Sequence, residues 1–395
     1  CLHPMKRSRD EVARFAIGPV QSYGGAFPQF KQPKELACYS RGASRAVSFD
    51  RSALRAYRAP ALPAALDVGF EQYIPKSADA DEPAPLRDVL GALEHGGVDV
   101  SSHHIVTYRN NLNKLMLTPY SPRDDWEIGV ERHGGSLHLL VRDTERKVAE
   151  EANRDERQQR MCYWGYRFEQ LSTGDGPAAG GQAGGSRRGE LRVPSPSDLS
   201  TCEGLYGEAE MARLRAAYAQ PQPAGGAAQG AAAGSDAAVN ANEEFCVVMG
   251  LGIEGLRLVM AAEVDCADKS GGREAYVELK TSKLIHSARD EANFGKHKLL
   301  KFWLQSFLAG VPKIVVGFRD DAGVVRELRP LETMKIPRMV RGKDDMWDPC
   351  VCLNFGKQVL EWLVQQMRQL PPDARAVLRY EPSVGALLLH RQEAS

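Results

Sequence analysis

The sequence has no long apolar run free of charge, no excess of either charge, no paired cysteine motif and no glycine-rich phosphate loop. Each absence removes a class of protein. Without about 20 consecutive apolar residues there is no candidate membrane-spanning helix, and no membrane partner is expected. Lys+Arg 51 balance Asp+Glu 51, which excludes the chain-wide positive field of a nonspecific nucleic-acid coat. Any affinity for nucleic acid must come from a local basic surface. The 8 cysteines (Cys1, Cys38, Cys162, Cys202, Cys246, Cys266, Cys350 and Cys352) show no CxxC spacing and follow no signal-peptide pattern. That argues against a disulfide scaffold and for a reducing compartment. Cys350-Val351-Cys352 has no second Cys or His pair at zinc-finger spacing and reads as buried thiols. His103-His104 has no partner at metal or triad spacing and reads as surface, and a GxSxG elbow is also missing. Lys6-Arg7-Ser8-Arg9 is too short for a nuclear signal and reads as a solvated basic tail.

What is present is an ordinary globular composition, 43% hydrophobic and 26% charged over 395 residues, which is compatible with one large α/β domain spanning 1–395. Two low-complexity stretches, 173–188 and 221–242, bury too little apolar surface to offset chain entropy and are expected to be flexible insertions. Ser136 to Val141 and Lys313 to Phe318 read as strands. Thr144 to Leu171, Asn293 to Leu308 and Phe355 to Leu370 read as helices, giving a mixed α/β core with peripheral helices. The region before about residue 100, rich in proline and aromatics, is expected to wrap that core.

The chemistry concentrates in two β-prone runs, Leu256 to Cys266 and Ala275 to Lys283, separated by a polar, glycine-containing stretch that predicts an antiparallel hairpin. Alternation puts Glu263 and Asp265 on one face of the first run, and Glu278 and Lys280 on one face of the second. A turn near Gly271-Gly272 sets Asp265 opposite Glu278 and Glu263 opposite Lys280. Three carboxylates on one patch raise one another's pKa unless a cation sits among them. An ExK pair alone in a strand is more often a solvated salt bridge. Here Val259 to Ala262 and Val264 make the strand almost continuously apolar, a setting in which unpaired carboxylates are rarely placed. Hard oxygen ligands without His or Cys point to Mg²⁺ or Mn²⁺, one or two ions, suited to phosphate hydrolysis. Lys280 adds a point charge for a phosphate oxygen.

Three further segments carry weaker signals. His297 to Leu308 sets Lys298, Lys301 and Gln305 on one helical face and Leu300, Trp303 and Phe307 on another. The polar face is either solvated surface or a row aimed at a phosphate. Met161 to Glu169 is an aromatic run ending in one acid, and Ile105 to Asn111 is an apolar strand ending in Arg109; taken alone, each reads as an ordinary helix edge or strand end.

In this order, an Arg, Gly165-Tyr166-Arg167-Phe168-Glu169, Glu263-Val264-Asp265 and Glu278-Leu279-Lys280 resemble the motifs of the DXO family of decapping exoribonucleases. Similar stretches extend over Ile105 to Tyr120, Gly165 to Gln170, Tyr276 to Ser282 and His297 to Pro312, with Phe27 to Cys38 and Trp347 to Phe355 besides. The resemblance implies a two-sheet nuclease core of the D-(D/E)xK kind. It further implies that Glu169, Glu263, Asp265, Glu278 and the carbonyl of Leu279 hold the metal, while Lys280 and Gln305 contact the scissile phosphate. Arg109, flanked by Tyr108 and Asn110 where the family usually has Trp and Gly, would bind the RNA 5′ end, with Arg45 and Cys246 in the same pocket. The implied substrates are RNAs with incomplete, unmethylated or NAD caps, or 5′ triphosphates and monophosphates, removed or trimmed 5′ to 3′. The implied setting is a nuclear or cytoplasmic monomer with a larger 5′-3′ exoribonuclease as possible partner. The alternatives are a D-(D/E)xK DNA nuclease and a noncatalytic stabilising partner of such an exoribonuclease. Retention of every ligand-type residue argues against the latter.

Overall fold

Two mixed sheets organise the chain, whose computed structural model describes residues 10–77, 86–177, 237–270 and 274–392. The larger sheet runs, in spatial order, β1 (Glu11–Ala16), β17 (Ala386–Gln392), β16 (Arg375–Glu381), β7 (Trp126–His133), β8 (Ser136–Arg142), β6 (Ile105–Tyr108), β11 (Leu256–Glu263), β10 (Glu244–Ile253), β2 (Phe30–Arg41) and β3 (Val47–Ser48). The smaller one runs β5 (Ala64–Ala65), β15 (Val324–Glu332), β14 (Lys313–Arg319), β13 (Ala275–Lys283), β12 (Cys266–Asp268), β4 (Arg55–Tyr57) and β9 (Thr173–Pro177). Eight α-helices accompany them among the described residues: α1 (Arg87–His95), α2 (Arg109–Leu117), α3 (Glu145–Ala152), α4 (Glu156–Leu171), α5 (Ala288–Asn293), α6 (Leu300–Leu308), α7 (Ile336–Val340) and α8 (Pro349–Arg368).

Burial follows the periodicities of the sequence. In β11, Leu258, Met260 and Ala262 enter the largest cluster, shared with both sheets and with α2, α6 and α8, while Val259 and Ala261 pack on the other face beneath α1. A strand buried on both faces is apolar throughout, as this run is. In β13, Val277 and Leu279 pack under Tyr163, Trp164 and Phe168 of α4, which leaves Glu278 and Lys280 on the opposite face. A Cβ at Gly317 of β14 would lie 2.6 Å from the Phe168 ring. Glycine there lets α4 rest close on the sheet, and this sets the level of Glu169, the next residue along.

Several expectations change. Thr144 to Leu171 is two helices, because Asp155 caps the second one: its carboxylate accepts from the Gln158 amide while the Gln158 side chain accepts from the Asp155 amide. The last helix starts at Pro349, ahead of Phe355, with Asp348 as its cap. The N-terminal region does more than wrap the core, since β1, β2 and β3 join the large sheet and β4 and β5 the small one. The insertion boundaries also shift: Thr173–Pro177 is a strand paired with β4, and Val239, Ala241 and Asn242 are buried. Residues 178–188 and 221–236 of the low-complexity stretches, and Lys6 to Arg9, lie outside the described residues. His103 and His104 are half-buried rather than on the surface, and the His104 ring accepts from the Arg257 amide. Of the Cys350–Cys352 pair, Cys352 is buried and Cys350 only partly so. Among the described residues no helix is long and apolar enough to cross a membrane.

Candidate active site

The anticipated hairpin exists for three residue pairs, Cys266 with Val277, Ala267 with Tyr276 and Asp268 with Ala275. Continued, that register sets Asp265 against Glu278 and Glu263 against Lys280, as the sequence suggests. It is not continued: β11 belongs to the large sheet, where Glu263 pairs with Cys246, and the chain passes to the small sheet only at Cys266. Glu263, Val264 and Asp265 therefore stand where the two sheets part. Splaying the strands deprives the Leu279 N–H of a backbone acceptor, and the Asp265 carboxylate takes it at 2.6 Å. The N–H and C=O of a strand residue face the same neighbour, so the Leu279 carbonyl is turned toward the same gap.

Glu278 is the hub of the other side. It is 1% exposed, and its Oε1 accepts from Lys280 Nζ and from Gln305 Nε2, both at 2.6 Å. Its Oε2 faces Arg109 at 3.3 Å. Burial pushes this carboxyl up, but Lys280 and Arg109 outweigh burial and hold it below its ordinary range. Burial likewise depresses Lys280, yet Glu278 and Asp265 raise it overall. Arg109 is the first residue of α2, with no acid in the first turn and no side chain capping the N-terminus. A guanidinium there adds to the positive end of the helix dipole, which is unfavourable unless an anion answers it.

The remaining acids are less compensated. Burial first, then Asp265 and Glu263, lift the Glu169 carboxyl well above its usual range. Burial and Glu278 push Asp265 up to about 7 against the pull of Lys280 and of the Leu279 amide. Glu263 is raised by burial despite Lys76 beside it. These shifts mean the carboxylates lie within one another's field. Among the described residues, however, no three acidic, cysteine or histidine side chains form a ready-made ion cage. Mutual repulsion and the engagement of both Glu278 oxygens account for that. The donor set still fits a hard divalent cation: carboxylate and carbonyl oxygens, no thiolate or imidazole, and negative charge in excess. A cavity of about 250 Å³ opens beside Glu169, Glu263 and Asp265, lined also by Arg55, Tyr166 and Gln170. A larger one, about 560 Å³, lies at His104, Glu254 and Arg368 and touches none of these acids.

The other sequence candidates sit around this centre. Tyr108 ends β6 and is half-buried, while Asn110 is exposed on α2. Cys246 is buried opposite Glu263, its thiol pushed well up by burial and by Glu244 and Glu263. Arg45 adopts a positive φ of 65° and donates to the Ser77 carbonyl, away from the carboxylates and next to Lys76. Lys76 was not anticipated. Its Nζ lies 2.5 Å from Glu244 and 3.7 Å from Glu263. The other Glu244 oxygen takes Arg41, which also grips Asp88. Glu244 heads the apolar run Phe245 to Met249, the same signal that singles out Glu263.

Comparison with known proteins gives this geometry a lineage. The sequence profile of the RAI1-like PD-(D/E)XK nucleases matches residues 31–192 and 215–393. The chain belongs to that family. It is 31% identical over 387 residues to the human decapping and exoribonuclease protein, covering 94% of this chain and 84% of that one. Its fold superposes on S. pombe Rai1 in complex with 3′-FADP with a TM-score of 0.68 and 28% identity, over 96% of this chain and 99% of the other. Candida albicans Rai1 in complex with pU5 and Mn²⁺ shares the fold, with a TM-score of 0.69 and 22% identity over 96% and 93% of the two chains.

Proposed function

We propose that this chain is a metal-dependent hydrolase of RNA 5′ ends, removing incomplete, unmethylated or NAD caps and 5′ pyrophosphate and trimming the exposed RNA 5′ to 3′. The observation that carries the reading is a group of four acids neutralised only in part, set between two parting sheets beside Lys280 and Arg109, in a member of a decapping nuclease family. The relatives solved with 3′-FADP and with pU5 and Mn²⁺ support a substrate that ends in a nucleotide phosphate and a divalent ion at the acids.

Glu169, Glu263, Asp265, Glu278 and the Leu279 carbonyl would hold the ion, with Mg²⁺ as the ordinary occupant. When bound, it supplies Lewis acidity to the phosphoryl oxygens and to the attacking water. As a ligand Glu278 would be one of the residues holding the ion, and the Lys280 ammonium and the Gln305 amide beside it would hold the scissile phosphate and the charge that develops on it. Arg109, with the uncapped N-terminus of α2, offers cationic and N–H donors to the phosphate at the 5′ end. Cap removal, pyrophosphate release and exonucleolytic steps all place water on phosphorus, so one set of groups serves each of them. Cys246 and Arg45 shape the approach, Arg45 through its hold on the Lys76 to Ser77 segment. The free thiols fit a reducing compartment, nuclear or cytoplasmic, and a larger 5′-3′ exoribonuclease is the proposed partner.

The test is incubation of the purified chain with Mg²⁺ and RNAs bearing triphosphate, NAD, unmethylated-cap or methylated-cap ends. Release of the end group with a 5′ monophosphate product is expected. Cleavage of duplex DNA with no action on any of these RNAs would sink the reading.

A further inference from the structure

The polar stripe leading away from Gln305 carries charge that nothing in the described structure balances. In α6 every residue is buried except Lys301 and Gln305. Lys298 continues the stripe one turn earlier, exposed in the π-helical turn Phe294–Leu299. Lys301 stands about 6 Å along the helix from Gln305. β13 and β14 lead the same way, since Lys283 pairs with Arg319 three residues beyond Lys280.

Lys298 stands within the field of Lys301 and Arg319, and its ammonium is held below the ordinary value first by burial and then by those two. Arg319 lies over the Trp164 ring at 4.4 Å and donates to the Asp320 carbonyl. Of the acids nearby, Asp321 is paired with Lys283 and Asp320 with Arg326. Among the described residues no carboxylate comes within salt-bridge distance of Lys298 or Lys301. Their neighbour Lys296, by contrast, pairs with Asp345. Like charges gathered on a rigid surface without counter-charge are unfavourable unless an anionic partner completes them.

We propose that Lys298 and Lys301 bind the phosphodiester backbone of single-stranded RNA beyond the hydrolysed 5′ end, so that the strand leaves the acids along α6. This rests on the reading of the centre as an RNA 5′-end hydrolase. The spacing suits it: one element presents an amide at the reacting phosphate and cations at successive turns behind it, a repeat that recognises backbone and not base.

The test compares the full chain with a Lys298→Gln/Lys301→Gln double variant, binding 5′-monophosphorylated RNAs of two and twelve nucleotides by fluorescence anisotropy. Both proteins carry Glu263→Gln to prevent cleavage. The Kd for the longer RNA should rise roughly tenfold at low salt, with the log K against log salt slope shallower by about 1.4, which is two phosphate contacts on a single strand. The dinucleotide should lose less than about twofold, and Lys298→Arg/Lys301→Arg should restore binding. Unchanged binding of the longer RNA, as a surface for an acidic protein would give, or equal loss at both lengths, as a folding defect would give, overturns the proposal. Length-dependent binding by a chain that hydrolyses no RNA end would leave this proposal standing and refute the parent reading. Hydrolysis without length dependence would do the reverse.

Discussion

Two ionic groups meet at Glu263, and they are built on opposite principles. On one side Arg41, Asp88, Glu244 and Lys76 join β2, α1, β10 and the loop after Tyr73 in a chain of contacts of 2.5 to 2.9 Å; two acids face two cations and the charge closes. On the other side Glu169, Glu263, Asp265 and Glu278 face Lys280 and Arg109, with Lys76 3.7 Å from Glu263 but already bonded to Glu244, which leaves negative charge in excess. A closed group can be permanently dry and serves the architecture, whereas an open one is tolerable only if a mobile cation completes it. The difference separates scaffold from site more sharply than burial does, because each group joins buried members, Glu244 in one and Glu278 in the other, to half-exposed ones, Lys76 and Glu263.

The largest effect should come from the open group. Glu263→Gln or Asp265→Asn should lower kcat on triphosphorylated or NAD-capped RNA by on the order of a thousandfold, with far-ultraviolet dichroism and cooperative unfolding retained. Near-normal turnover in the double variant would remove the metal assignment. The closed group should respond the other way. Asp88→Ala leaves Arg41 short of a counter-charge in a dry site and should lower stability in urea by about 3 kcal/mol, while turnover per folded molecule persists. If Asp88→Ala instead damages turnover and spares stability, the division between the two groups fails.

A pH experiment sharpens the comparison. The folded Asp265 carboxyl sits near 7 against an ordinary value of 3.8, so the folded state binds this proton more tightly than the unfolded one. Its unfavourable contribution is absent below about pH 4, grows as the pH rises toward 7 and is then constant. Metal-free protein should therefore lose Tm between pH 5 and pH 8 more steeply than Asp265→Asn, and saturating Mg²⁺ should remove most of that difference through preferential binding to the native state. Parallel curves for the two proteins in chelator would contradict the proposed repulsion.

How much of this was readable in advance depends on how local the signal is. The doubly buried β11 and the acids at its end follow from alternation and from the improbability of carboxylates in an apolar strand. Even the register of Asp265 with Glu278 follows from the turn. That the strands part there does not, because β11 is held in the large sheet by a parallel pairing with β6, whose Ile105 lies 153 residues before its partner Leu258. No periodicity records such a pairing. The break at Asp155 was legible as a capping box but sits inside a continuous helix-forming composition. Lys76, Arg41 and Asp88 come from three separate segments whose proximity only the fold creates. Glu244 alone carried a local signal, the one used for Glu263, and it shows that an acid heading an apolar strand marks a buried charge without saying whether that charge is scaffold or site.

Lys76 touches both groups and allows the smallest but most discriminating test. Its ammonium is bonded to Glu244 and lies 3.7 Å from Glu263, so it stands as a protein cation near a carboxylate that is to hold a metal. Lys76→Met leaves Glu244 still held by Arg41, so the stability loss should be only about 1 kcal/mol for a half-exposed partner. At the same time Glu263 loses its competing cation, and the Mg²⁺ or Mn²⁺ concentration at half-saturation, measured by calorimetry, should fall a few-fold. A rise instead would mean that Lys76 orients Glu263 for the metal, and the boundary between the open and closed groups would then have to be redrawn to include it.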